Sequence, residues 1–141
     1  MVGKEKTENY LRTILKIQKR YGSVRSSDIS RELDVSKPTV SIAVHELEKS
    51  GYVTCDNDSG VILTEKGKKL AQDITERYQF FRLVLRYLGV EEKTADIDAC
   101  KMEHCMCDES YQAFYRFFWG FLEREASQVQ FDNGIENNFF K

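Results

Sequence analysis

A single proline, Pro38, stands in the 141 residues, inside the string Ser36-Lys37-Pro38-Thr39. Proline has no N–H to donate, so it fits the first turn of a helix and rarely anything further in. A helix must therefore open at Lys37-Pro38. Behind it Val40, Val44 and Leu47 recur at helical spacing, and Gly51 ends the helix near Ser50. Ahead of it Asp34-Val35-Ser36 makes a tight turn. Before that turn Ser26-Ser27-Asp28 offers caps for a short helix over 29–33, with Ile29 and Leu33 four apart. Further upstream Tyr10, Leu11, Ile14 and Ile17 share one helical face, with Thr7 as the expected N-cap and Gly22 as the stop.

Downstream, Tyr52-Val53-Thr54-Cys55 and Val61-Ile62-Leu63-Thr64 flank a polar loop ending in Gly60, the pattern of a β-hairpin. A long amphipathic helix then runs from Thr64 through Leu70, Ile74, Phe81, Leu85 and Leu88 to Gly89. Two further helices are expected, near 94–105 and from Asp108 to about Glu125, and the polar segment from Ser127 reads as a loose tail.

Helix, short helix, turn, helix, hairpin is the order of a winged helix-turn-helix. The fold class expected is mainly α: a winged helix-turn-helix at residues 1–75, an all-helical dimerisation domain at 76–126 and a flexible tail at 127–141. In such a domain Ser36, Lys37, Pro38, Thr39 and Ser41 form the end of a reading helix that enters a major groove. Hydroxyls there donate to phosphates or base edges, the helix N-terminus favours phosphate, and Lys37 adds a charge. The plainer reading is that Ser-Lys-Pro-Thr merely caps a helix. The element order as a whole favours DNA, although winged helices also serve in protein-binding modules.

Charge adds little to that choice. Residues 1–75 carry 13 basic and 11 acidic side chains and residues 76–141 carry 8 and 12, so a slightly basic front precedes an acidic back. With 41% hydrophobic and 31% charged residues the chain is too apolar for a disordered one. It has no run of 18 apolar residues and no secretory signal at its start, so a cytoplasmic protein with no membrane partner is expected.

Three of the four cysteines, Cys100, Cys105 and Cys107, lie within eight residues beside His104, and thiols are expected in the cytoplasm. Cys100, Glu103 and His104 stand at i, i+3 and i+4, so a helix puts a thiol, a carboxylate and an imidazole on one face. That is half of a transition-metal shell, and another segment has to complete it. A buried cysteine next to an ordinary surface Glu-His pair is the alternative. The aromatic run Tyr111, Phe114, Tyr115, Phe117, Phe118, Trp119 and Phe121 is too apolar for a solvated helix. It serves either a dimer interface or an intrachain core.

Several strings together resemble the diphtheria-toxin-repressor and manganese-transport-regulator family of metal-dependent repressors, over about residues 5–125. They are Thr7-Glu8-Asn9-Tyr10-Leu11-Arg12-Thr13-Ile14, Val35-Ser36-Lys37-Pro38-Thr39-Val40-Ser41, Leu63-Thr64-Glu65-Lys66-Gly67, Leu88-Gly89-Val90 and Asp98-Ala99-Cys100-Lys101-Met102-Glu103-His104. The last is the most specific. No length remains for the SH3-like domain of longer members, so the likeness is to the short, two-domain form.

The resemblance implies a regulatory site of Cys100, Glu103 and His104 with a further ligand from the first helix, where this chain has Asn9. Iron-type members carry methionine at that place, and manganese-type members carry carboxylates at the places of both Asn9 and Cys100. A second metal position of the family falls on Tyr78 and Arg82, and a guanidinium cannot ligate a cation. One divalent transition metal per chain is therefore expected, Fe(II) first, with Mn(II), Zn(II), Co(II) or Ni(II) as alternatives. Cys107 takes the place of a helix-capping serine, and either caps or donates to metal.

The implied function is that of a homodimeric repressor that binds a palindromic double-stranded DNA operator when loaded with metal. Two rivals remain. One is a regulator of the same descent that has lost metal control, given Asn9, Tyr78 and Arg82. The other is a small thiol or metal enzyme using Cys100 and His104, which no glycine-rich phosphate loop or catalytic carboxylate pair supports.

Overall fold

The computed structural model describes residues 3–133. Six helices and one hairpin follow in the order α1 (Lys4–Tyr21), α2 (Ser26–Leu33), α3 (Lys37–Lys49), β1 (Val53–Asp56), β2 (Gly60–Leu63), α4 (Glu65–Tyr87), α5 (Glu92–Cys105) and α6 (Asp108–Asn133). The chain divides into two compact units between Gln79 and Phe80, within α4.

The first unit is a winged helix-turn-helix, as the element order requires. Its core takes Leu11 and Ile14 from α1, Ile29 from α2, Val40 and Leu47 from α3 and Val53 from β1, all essentially buried. Each such aliphatic side chain contributes about 1.5–3 kcal/mol by leaving water. Burial of Val40, Ala43, Val44 and Leu47 fixes which side of α3 faces inward. The strands pair antiparallel with Val53 opposite Leu63 and Asp56 opposite Gly60. Val24 ties the hairpin back to the helices: its carbonyl accepts from Val61 N–H at 2.8 Å. Gly60 has φ +79°, and a β-carbon there would lie 2.2 Å from the Val24 carbonyl oxygen, so only glycine fits.

In the second unit Phe80, Phe81 and Val84 of α4 are buried, as are Ala95 and Ala99 of α5 and Tyr111 and Leu122 of α6. Rings join α4 to α6, with centroids of Phe80 and Tyr111 5.7 Å apart and of Phe80 and Tyr115 5.2 Å apart. The aromatic run thus divides. Tyr111 is core, while Phe114 and Phe117 are exposed.

Four boundaries differ from the sequence reading. Helix α1 begins at Lys4, because Gly3 in extended conformation caps it and Thr7 N–H donates inside the helix to the Gly3 carbonyl at 2.9 Å. Helix α2 begins at Ser26, and Asp28 stabilises that start from within, accepting from Arg25 N–H at 2.9 Å. Helix α5 begins at Glu92, two residues before Thr94, because the Glu91 carboxylate accepts from Thr94 N–H at 3.2 Å. Helix α6 continues past Glu125 to Asn133, into the segment read as a tail, since residues 121–133 contain neither glycine nor proline to stop it. The rest of that segment, 134–141, lies outside the described residues.

Candidate functional site

Two groups of side chains carry the chemistry, one in each unit. In the first, the residues singled out at the start of α3 split by role. The Ser36 hydroxyl accepts from Thr39 N–H at 3.3 Å and lies 2.7 Å from Thr39 Oγ1, so Ser36 caps the helix and the Thr39 hydroxyl is held against that cap. Ser36 is nonetheless exposed and Thr39 half-buried, so the pair stays at the surface. Lys37, Pro38 and Ser41 are exposed. Sequence reasoning missed Ile42 and His45, which extend the same outward face, each at an i+4 step, from Pro38 and Ser41. Their signal was present, because both fall off the core stripe of α3. The wing tip is acidic, with Asp58 N–H donating to Asp56 Oδ1 at 3.3 Å.

In the second unit, α5 brings Cys100, Glu103 and His104 together. Their ligand atoms all lie within 4.8 Å of one another. Ala95, Ala99 and Glu103 are buried at successive i+4 steps, so Glu103 puts a carboxylate where the periodicity would place core. Only 4% of Glu103 is exposed, and its Oε1 lies 3.1 Å from His104 Nε2. A carboxylate taken out of water needs a proton donor or a cation beside it. Sulfur, oxygen and nitrogen so close together fit one transition-metal ion with bonds of about 2.0–2.3 Å. The geometry therefore suits a metal, and it is the one such group of Cys, His and acidic residues among the described residues.

Neither of the extra cysteines joins that group. Cys107 sits just before α6, where its carbonyl accepts from Tyr111 N–H at 3.0 Å and its sulfur lies 3.4 Å from Ser110 Oγ. That contact with Ser110 holds the thiol below the usual range. Cys105 Sγ donates to the Met102 carbonyl at 3.4 Å.

Asn9, in the first unit, is half-buried, and its Oδ1 accepts from Arg12 at 3.5 Å. The Arg12 guanidinium also stacks 4.6 Å from the centroid of Tyr78. Arg82 donates through Nε to Asp96 and through a terminal nitrogen to Glu92 at 2.9 Å, so a guanidinium stands between two carboxylates of α5. No helix among the described residues is long and apolar enough to cross a membrane.

Comparison with known proteins covers nearly the whole described chain. Residues 4–61 match the family described as iron dependent repressor, N-terminal DNA binding domain. Residues 64–126 match its metal binding and dimerisation domain. The transcriptional regulator MntR of Escherichia coli is 35% identical over 114 residues, which are 81% of this chain and 74% of that protein. An HTH-type transcriptional regulator of Methanocaldococcus jannaschii, MJ0568, is 30% identical over 119 residues, 83% of this chain and 95% of that one. Among solved structures, the manganese regulator SloR superposes with a TM-score of 0.71 at 25% identity over 79% of this chain, which spans about half (53%) of SloR.

Proposed function

The chain belongs to the iron-dependent repressor family of metal-dependent, DNA-binding transcriptional regulators, and from that premise we propose that it is a homodimeric repressor of metal homeostasis genes in the cytoplasm. The observation that carries the proposal is the convergence of Cys100, Glu103 and His104 on one face of α5, in the unit that follows a winged helix.

Cys100, Glu103 and His104 hold one divalent transition ion per chain, and Asn9 offers the remaining protein donor. The ion supplies the positive charge that lets a thiolate, a carboxylate and an imidazole share one point. Fe(II) is the favoured ion, with Mn(II), Zn(II), Co(II) and Ni(II) as alternatives. Metal acts as a ligand that favours the DNA-competent arrangement of the dimer, and DNA in turn tightens metal binding. The two α3 helices of a dimer are then held at the spacing of successive major grooves on a palindromic operator. Exposed Phe114 and Phe117 on α6 give the second copy an apolar face to cover. At the DNA, Lys37 and the N-terminus of α3 bind phosphate, and Ser41 and Pro38 face the bases, with Ser36 and Thr39 fixing the start of the helix.

The test is a duplex selected by the protein from a random pool, titrated with and without Mn(II), Fe(II) or Co(II). Metal is expected to tighten binding at least tenfold in the wild type and to have no effect in a Cys100→Ser, His104→Ala variant. Specific binding that no divalent ion changes would make the chain a regulator that has lost metal control. A monomeric mass by light scattering would rule out the half-site mechanism.

A further inference from the structure

Ile42 is 66% exposed in the middle of α3. The core stripe of this helix, Val40, Ala43, Val44 and Leu47, points the other way. On the outward side its neighbours include exposed Pro38, Ser41, His45 and Lys49. A lone exposed isoleucine would ordinarily mean nothing. Here its position is the observation. It sits on the face opposite the buried stripe, inside a segment matched as a DNA-binding domain.

No second large apolar side chain lies beside Ile42 on α3, so the face lacks the apolar area of a protein–protein contact. The floor of a major groove offers a lone apolar group of matching size, the C5-methyl of thymine. Isoleucine suits that target because β-branching leaves its side chain stiff at χ1, with little freedom to lose on docking. It has no donor or acceptor to give the amino and carbonyl edges of the other bases, which would be left unpaired against it.

We infer that Ile42 is a specificity-determining residue that packs on a thymine methyl, so that each half-site carries a thymine facing the middle of α3. This rests on the proposal that α3 is the reading helix.

The experiment uses the full chain with Co(II) and a duplex selected from a random pool, in which each thymine is replaced in turn by uracil. Losing one buried methyl is expected to weaken binding about fourfold at one position per half-site, and about fifteenfold when both half-sites are changed. Ile42→Ala should abolish the thymine–uracil difference at that position while leaving it at any other. Ile42→Val, which keeps the branched methyls, should retain it. Because Ile42 is outside the core, both variants should fold, with unchanged thermal melts. A selected site in which uracil is tolerated throughout, or an Ile42→Ala variant that still discriminates at every position, would overturn the inference while leaving DNA reading by α3 intact. Failure of the wild type to select any sequence would overturn the reading-helix proposal itself, and the inference with it.

Discussion

Arg82 of α4 grips Glu92 of α5 at 2.9 Å, and the same guanidinium holds Asp96 one turn further along. Asp96, Cys100 and Glu103 stand at i, i+4 and i+7, so they follow one face of α5. A fixed cation at Asp96 therefore lies about one helical turn, roughly 6 Å along the axis, from Cys100, and about 10–12 Å from Glu103 and His104. It occupies two carboxylates that could otherwise take a metal, and its charge opposes a second dication nearby.

Arg82→Ala is expected to convert one divalent ion per chain into two, the second bound more weakly by Asp96 and Glu92. Isothermal titration with Mn(II) reads the change directly. Stability should fall by only about 0.2–1 kcal/mol, because both pairs are partly exposed and screened. Two ions already present in the wild type would show that Arg82 does not block the second position.

Much of this arrangement was legible in the sequence, because it rests on local rules. Pro38 and Gly51 bracket α3, and the i, i+3, i+4 spacing alone places Cys100, Glu103 and His104 on one face. What local rules could not settle is which competing cap wins. Gly3 displaced Thr7, and Glu91 advanced the start of α5, because several capping residues stood close together in sequence. The roles within Ser36–Ser41 were also hidden. A serine or threonine at a helix start serves the backbone or a ligand equally well, and only the distance between Ser36 and Thr39 decides. Ile42 falls off the core stripe of α3 in the sequence, but only its burial shows that no other element covers it.

The metal site itself should respond to protons. Ligation takes the Cys100 sulfur as a thiolate and the His104 ring as a neutral imidazole, and His104 must exchange its contact with the Glu103 carboxylate for the ion. Divalent binding is therefore expected to release protons and to weaken as pH falls. Co(II) should show a thiolate charge-transfer band that Cys100→Ser abolishes, with a loss of affinity of at least about tenfold. Ions softer than Mn(II) should bind more tightly. Asn9→Ala should cost less, since a neutral amide oxygen already accepting from Arg12 is the weakest donor of the set. A Cys100→Ser protein with an unchanged spectrum would exclude the thiolate.

The four thiols should differ in reactivity. Ser110 holds the Cys107 thiol below the usual range, and the sulfur is exposed just before α6. Burial, and then the charge of Glu48, pushes the Cys55 thiol up. A lowered thiol is more fully ionised at neutral pH, and the thiolate is the nucleophile. Iodoacetamide at neutral pH should label Cys107 first and Cys55 much later, and added metal should protect Cys100 alone. Peptide mass spectrometry gives the order, and equal rates at Cys107 and Cys55 would refute it.

The last expectation separates the residues at the start of α3. Ser36 satisfies the Thr39 N–H, so Ser36→Ala should destabilise the protein by about 1 kcal/mol, read as a lower urea midpoint. Lys37 is exposed and belongs to no such cap, so Lys37→Ala should leave the urea midpoint in place. Its effect belongs to the DNA, where a lost phosphate contact weakens all sequences alike and lowers the salt slope by about one per half-site. The two substitutions are adjacent, yet one should move only the melt and the other mainly the slope. If Lys37→Ala left the slope unchanged while Ser36→Ala flattened it, the cap and the phosphate contact would have to be exchanged between these two side chains.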